Sequence, residues 1–198
     1  MRLFVALDID DAVRERITGF ADEFRPFAPN ARWVKAESLH VTLKFIGERP
    51  DSTAKEIERV LDSIRAPDLR ISFRGAGFFP NPRSARVFWI GIEAGEDLQR
   101  LAQEVEAKLS ELGIPKEDRP FSPHLTLARA SGGSGAPGWR KGDRPNRQFA
   151  RLQEVLSQHP APDFGSIFAH EFFLYRSLLS SKGAQYTKIA RFVLGSRD

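Results

Sequence analysis

Two nearly identical tetrapeptides, His40-Val41-Thr42-Leu43 and His124-Leu125-Thr126-Leu127, carry the side chains of this sequence best suited to chemistry. An extended strand turns alternate residues to one side, so each segment projects one imidazole and one hydroxyl together while Val or Leu packs behind. Histidine changes charge near neutral pH, and two of them across a cleft can divide the work of acid and base. Opening a cyclic phosphodiester needs a base for water, an acid for the departing sugar oxygen and donors for the non-bridging oxygens. Two imidazoles and two hydroxyls supply that set without a metal. One His-x-Thr in a strand is an ordinary interior or surface feature. Two copies in separate halves of the chain suggest two related lobes about a pseudo-two-fold axis.

The elements that must position these groups follow from the apolar spacing. Residues 3–7 form a short apolar run that reads as a buried strand. Val13, Ile17, Phe20 and Phe24 recur on one helical face, with Asp10 or Asp11 to cap it and Pro26 and Pro29 to end it. Residues 32–35 and 39–46 read as strands, and strict alternation in the second places His40, Thr42 and Lys44 on one face with Val41, Leu43 and Phe45 on the other. Phe45 is accordingly expected in the core. A helical stripe runs through Ile57, Val60, Leu61 and Ile64, followed by a strand from Leu69 in which Gly75 and Gly77 mark a bend or bulge. Residues 87–92 give another strand. Leu98, Leu101, Val105, Leu109 and Leu112 trace a helix that stops at Gly113.

Residues 121–129 alternate again, with His124 and Thr126 on one face and Arg129 on the opposite one. Residues 131–146, rich in Gly, Pro, Ser and basic side chains, read as a mobile surface loop within a single two-lobed domain spanning 1–198. A short helix through Phe149, Leu152, Val155 and Leu156 precedes two closing strands, 168–176 and 185–194, joined by a Ser-Ser-Lys-Gly turn. Strands and helices mix without a strand, Gly-rich loop and helix phosphate motif, so the expected class is α+β with antiparallel sheet.

Composition narrows the chemistry. The 198 residues contain no cysteine, which excludes disulfides, zinc-thiolate centres and thiol nucleophiles. No apolar run approaches the roughly 20 residues needed to cross a bilayer, and the apolar stretch at the start is shorter than a secretory core. A cytoplasmic protein without a membrane association is expected. The net charge of +4 favours an anionic ligand, of which nucleic acid is the commonest.

The surrounding residues make the pattern recognisable. The sequence resembles the bacterial and archaeal RNA 2′,3′-cyclic phosphodiesterases, also called the 2′-5′ RNA ligase family, within the two-histidine phosphoesterases. The resemblance covers nearly the whole chain. It rests on the start 1–7, on Trp33-Val34 leading into 39–48, on Phe121-Ser122-Pro123-His124-Leu125-Thr126-Leu127-Ala128-Arg129, and on Leu174-Tyr175-Arg176-Ser177 with Gly183-Ala184-Gln185-Tyr186. It implies two α+β lobes around a central cleft lined by both motifs, and opening of a 2′,3′-cyclic phosphate to a 2′-phosphate. By the same analogy His40 donates a proton to the 3′ oxygen and His124 accepts one from water. Thr42 and Thr126 then hold the phosphoryl oxygens, and Arg129 adds charge to the phosphate site, provided that a strand end or bulge brings it round to the His124 face.

The expected partners are RNA ends or nucleotides with a 2′,3′-cyclic phosphate, acted on by a monomer without cofactor or metal. Formation of a 2′-5′ linkage by the reverse chemistry is the alternative within enzymes. A non-catalytic module that binds RNA ends is the alternative outside them, although keeping both His and both Thr argues for turnover. Neither motif has the His-x-x-x-His or His-x-Asp spacing of a metallohydrolase. His159 reads as a solvated helix end and His170 as a structural strand residue, while the basic segment 139–147 could steer RNA.

Overall fold

Apolar alternation is converted into two antiparallel sheets, seen in a computed structural model that describes residues 1–131, 146–180 and 183–195. In chain order the elements are β1 (Arg2–Leu7), α1 (Asp11–Phe24), β2 (Arg32–Trp33), β3 (Val41–Glu48), α2 (Asp51–Asp62), β4 (Leu69–Phe79) and β5 (Val87–Glu93). Then come α3 (Gly95–Ser110), β6 (His124–Arg129), α4 (Ala150–Leu156), β7 (Asp163–Ala169), β8 (Glu171–Ser180) and β9 (Gly183–Val193). One sheet has the order β3-β1-β8-β9, the other β2-β6-β5-β4-β7, and every pairing is antiparallel. The α+β class with two lobes is therefore as expected, but the lobes are not successive halves of the chain. The first sheet is built from both ends of the sequence.

Helix α1 forms as its spacing predicts. The Asp10 carboxylate accepts from the Val13 N–H at 2.7 Å, a cap worth about 1 kcal/mol. Val13, Ile17, Ala21 and Phe24 are buried, and burying a side chain like Phe24 contributes roughly 1.5–3 kcal/mol. Helix α3 ends near Gly113, whose φ of +73° is the left-handed turn that glycine adopts without strain.

Three sequence expectations change. Residues 168–176 are not one strand: the chain leaves β7 in the second sheet and enters β8 in the first, with His170 at the corner between them. His170 meets Asp68 at 2.9 Å there, outside either strand. The other two changes lie in β3. Val5 pairs with Lys44 and Ala6 with Thr42, so Leu43 is an extra residue and alternation restarts one place later. Lys44 consequently turns away from His40 and Thr42 into the interior, 3% exposed, where its Nζ donates to Glu106 and to the Pro115 carbonyl, both at 2.9 Å. Phe45 swings out of the core, 44% exposed, with the Arg2 guanidinium 4.8 Å from its ring centre.

Most of the loop expected at 131–146, most of the basic segment 139–147 and part of the turn at 180–183 lie outside the described residues. Among those described, no helix is long and apolar enough to cross a membrane.

Candidate active site

Each histidine is held by the chain just before it. The Nδ1–H of His40 donates to the Ser38 carbonyl at 2.7 Å, and that of His124 donates to the Ser122 carbonyl at 2.8 Å. A carbonyl only accepts, so both rings carry their hydrogen on Nδ1 and leave Nε2 to exchange a proton. The repeat thus extends upstream of the tetrapeptides, as Ser-x-His-x-Thr-Leu at 38–43 and again at 122–127. That doubled serine was a signal available in the sequence.

The bend that aims His40 is fastened by Arg14 of α1. Its guanidinium donates to the carbonyls of Ala36 at 2.7 Å, Leu39 at 3.3 Å and Ile9 at 2.9 Å, and to the Asp8 carboxylate at 2.8 Å. Asp8 also takes a hydrogen bond from Lys188. Burial works to raise the Asp8 pKa, but the hydrogen bonds from Lys188 and Ile9 and the charges of Lys188 and Arg14 more than offset it, leaving the carboxyl below its usual range.

Strand pairing decides what else faces the cleft. In β6, Gly91 pairs with His124 and Trp89 with Thr126, whereas Phe88 pairs with Ala128 and Val87 with Arg129. Leu127 is the extra residue. Its carbonyl is bonded by Val34 N–H at 2.8 Å on the other side. Because Val87, Trp89 and Gly91 share a face of β5, the bulge brings Arg129 round beside His124 and Thr126. The required bulge is present, and the strict alternation that put Arg129 on the opposite face does not hold.

Burial and charge set both imidazoles low. His40 lies against Phe4 (4.8 Å between ring centres), edge-on to Tyr186 (5.2 Å) and stacked with Tyr175 (6.0 Å). Desolvation in this aromatic setting brings its pKa down from 6.5 to about 4; the Ser38 bond and Asp8 act against this, and Arg129 and Arg14 reinforce it. His124, edge-on to Phe79 at 5.0 Å, is lowered chiefly by burial, with the Ser122 bond opposing and Arg129 assisting. Arg129 acts on both histidines, although His40 leads into β3 of one sheet and His124 begins β6 of the other, so the two motifs converge on a common cation.

A cavity of about 360 Å³ opens beside His40, walled by Asp8, Tyr175, Tyr186 and Lys188. Tyr175 is buried enough to keep its phenol protonated well above the ordinary range, Asp8 adding to the effect. Sequence reading gave no role to Asp8, to Arg14 or to the two tyrosines, although both tyrosines lie in stretches that carry the resemblance, because their distance along the chain from either motif hides their proximity. His159 closes α4 away from the motifs, its Nδ1–H donating to the Val155 carbonyl at 2.9 Å. Among the described residues no group of three or more His, Asp or Glu is arranged to hold a metal ion.

Comparison with known proteins gives a consistent result. The LigT like Phosphoesterase family model matches residues 7–89 and 90–138. A protein of Archaeoglobus fulgidus named RNA 2′,3′-cyclic phosphodiesterase is 35% identical over 192 residues, covering 97% of this chain and 99% of that protein. One of the same name from Methanothermobacter thermautotrophicus is 33% identical, covering 98% of this chain and 99% of its own. Among solved structures, a phosphoesterase superposes with a TM-score of 0.77 at 28% identity, and E. coli LigT complexed with 3′-AMP with 0.76 at 27%, each covering 98% of both chains.

Proposed function

The chain belongs to the LigT-like phosphoesterase family, and from that premise we propose that it hydrolyses RNA 2′,3′-cyclic phosphate ends to 2′-phosphomonoesters with His40 and His124 as acid and base. The observation that carries this reading is the matched pair of imidazoles. Both are locked with Nδ1–H on a carbonyl, both offer Nε2, and both sense the Arg129 charge. E. coli LigT has been solved with 3′-AMP, a ligand of the same chemical class as the product.

In the reaction, water attacks phosphorus and gives a proton to Nε2 of His124. The bond from phosphorus to O3′ breaks, and O3′ takes a proton from Nε2–H of His40. The products are a 2′-phosphate and a 3′-hydroxyl, and solvent returns the two histidines to their starting protonation states. Arg129 and the hydroxyls of Thr42 and Thr126 hold the non-bridging oxygens as charge grows on them. A cyclic phosphate carries one negative charge, so its arrival stabilises the imidazolium that burial disfavours in the empty site. One chain supplies both motifs, so the site is complete in a monomer, and the partner is an RNA end or a nucleotide within the cytoplasm. Phe45, exposed beyond Thr42 on the same face, offers a ring for a nucleobase to stack on.

The test is an oligonucleotide ending in a 2′,3′-cyclic phosphate, incubated in EDTA with the wild type, His40→Ala and His124→Ala, with 2′- and 3′-phosphate products resolved. A 2′-phosphate formed by the wild type and lost by about 10²-fold or more in both variants is expected. Undiminished turnover in either variant overturns the acid and base assignment. A joined product in the presence of a 5′-hydroxyl strand, without hydrolysis, makes the reverse chemistry the activity.

A further inference from the structure

The chain has two tyrosines, and both stand against His40. They are not equivalent. Tyr175 lies flat under the site, 7% exposed, stacked on Phe4 with ring centres 5.0 Å apart and planes within 5°. Its place is the floor.

Tyr186 stands upright. It lies on β9 opposite Ser177, which in turn pairs with Arg2, so it shares the face of Arg2 and Phe4. Its ring meets both Phe4 and His40 edge-on, at interplanar angles of 75° and 85°, and forms a wall of the cavity beside His40. Arg129, a residue of the other sheet, lies within electrostatic range of Tyr186. Tyr186 therefore spans from the first-motif histidine toward the cation that follows the second motif. The space between those two groups is where the reacting phosphate must sit.

We propose that Tyr186 is a further catalytic residue, whose phenolic O–H donates a hydrogen bond to a non-bridging oxygen of the cyclic phosphate. The inference rests on the phosphodiesterase reading above. The two threonines and Arg129 hold the phosphate from the motif strands, and Tyr186 adds a donor from the His40 side. A neutral O–H suits that position, because a further cation there would leave His40 protonated less often, and it must hold a proton before it can deliver one.

Tyr186→Phe isolates the hydroxyl, since it keeps the ring that packs on His40 and Phe4. Removal of one donor to a charged oxygen is expected to lower kcat/KM on the cyclic-phosphate oligonucleotide by roughly 10- to 100-fold. The inhibition constant of inorganic phosphate should rise in parallel, while the melting temperature and the pH limbs of the rate profile stay at wild-type values. A role confined to packing would leave both turnover and phosphate inhibition unchanged in Tyr186→Phe and impair only Tyr186→Ala, and that result overturns the inference. An inactive wild type overturns the phosphodiesterase reading instead, so the two failures are separable.

Discussion

Leu43 and Leu127 hold equivalent places: each is the extra residue of a β-bulge, and each lies three positions after the histidine of its motif. The two bulges do the same job in the two sheets. A residue two further on, which regular pleating would send to the core, is turned to the face of the motif threonine instead. In the first motif that residue is Phe45 and in the second it is Arg129. One geometric device thus delivers two different chemistries, an aromatic face on one side and a guanidinium on the other.

The bulge sets the approach of Arg129 to the face of His124 and Thr126. Lysine at 129 would keep the positive charge and lose the planar fork that can hold two phosphate oxygens at once. Arg129→Lys is expected to lower kcat/KM about 10²-fold with little change in unfolding free energy. Steady-state kinetics with the cyclic-phosphate oligonucleotide check this, and near-wild-type turnover would mean that charge alone suffices.

Phe45 gains little from burial, being 44% exposed, so removing it should act on the substrate rather than the fold. Phe45→Ala is expected to raise KM by about 5- to 10-fold, in line with a stacking contribution of roughly 1–3 kcal/mol, with kcat falling less. Denaturant unfolding should show a loss below about 1 kcal/mol. A large stability loss with unchanged KM would assign the ring to packing.

How far the sequence disclosed this site depends on whether the relevant contact was local. His40 with Thr42, and His124 with Thr126, were legible because residues two apart on a strand share a face whatever the partner strand does. Lys44, Phe45 and Arg129 were not assigned to their true faces, since a bulge is a property of two paired strands and leaves no mark in one of them. Residues 168–176 looked like a single strand because the apolar run continues through the corner at His170. Tyr186 and Asp8 come from opposite ends of the chain, and only the β1-β8-β9 pairing brings them to His40.

Gly77 shows how the second sheet supports His124. It pairs with Trp89, and a Cβ there would stand 2.4 Å from Trp89 Cζ2, so the rigid indole would have to move. Trp89 packs on Phe79, and Phe79 packs on His124, both with ring centres 5.0 Å apart. Gly77→Ala is therefore expected to cost roughly 1–3 kcal/mol by overpacking and to reduce turnover through the displaced ring stack. Gly19→Ala in α1 meets nothing within 4 Å and serves as the contrast, with an expected gain of about 0.5–1 kcal/mol. Urea unfolding of the two variants separates the outcomes; equal behaviour would show that the indole relaxes freely.

The lowered pKa values of both histidines predict where the rate profile sits. The proposed acid and base roles need one imidazole protonated and the other neutral, so kcat/KM is expected to be bell-shaped, with limbs that report the pair in the empty enzyme. His40 is held at about 4 and His124 is shifted below 6.5, in both cases chiefly because burial penalises the imidazolium. As pH rises above the higher of the two values the acid is lost, and as pH falls below the lower one the base is lost. The kcat/KM optimum is therefore expected below pH 6.5. The bound phosphate anion favours protonation, so the kcat optimum should lie at higher pH than that of kcat/KM. Arg129→Gln removes a charge that lowers both histidines and should move both kcat/KM limbs upward. Profiles with kcat/KM centred above pH 7, or limbs unmoved by Arg129→Gln, would break the link between burial, Arg129 and the acid–base pair.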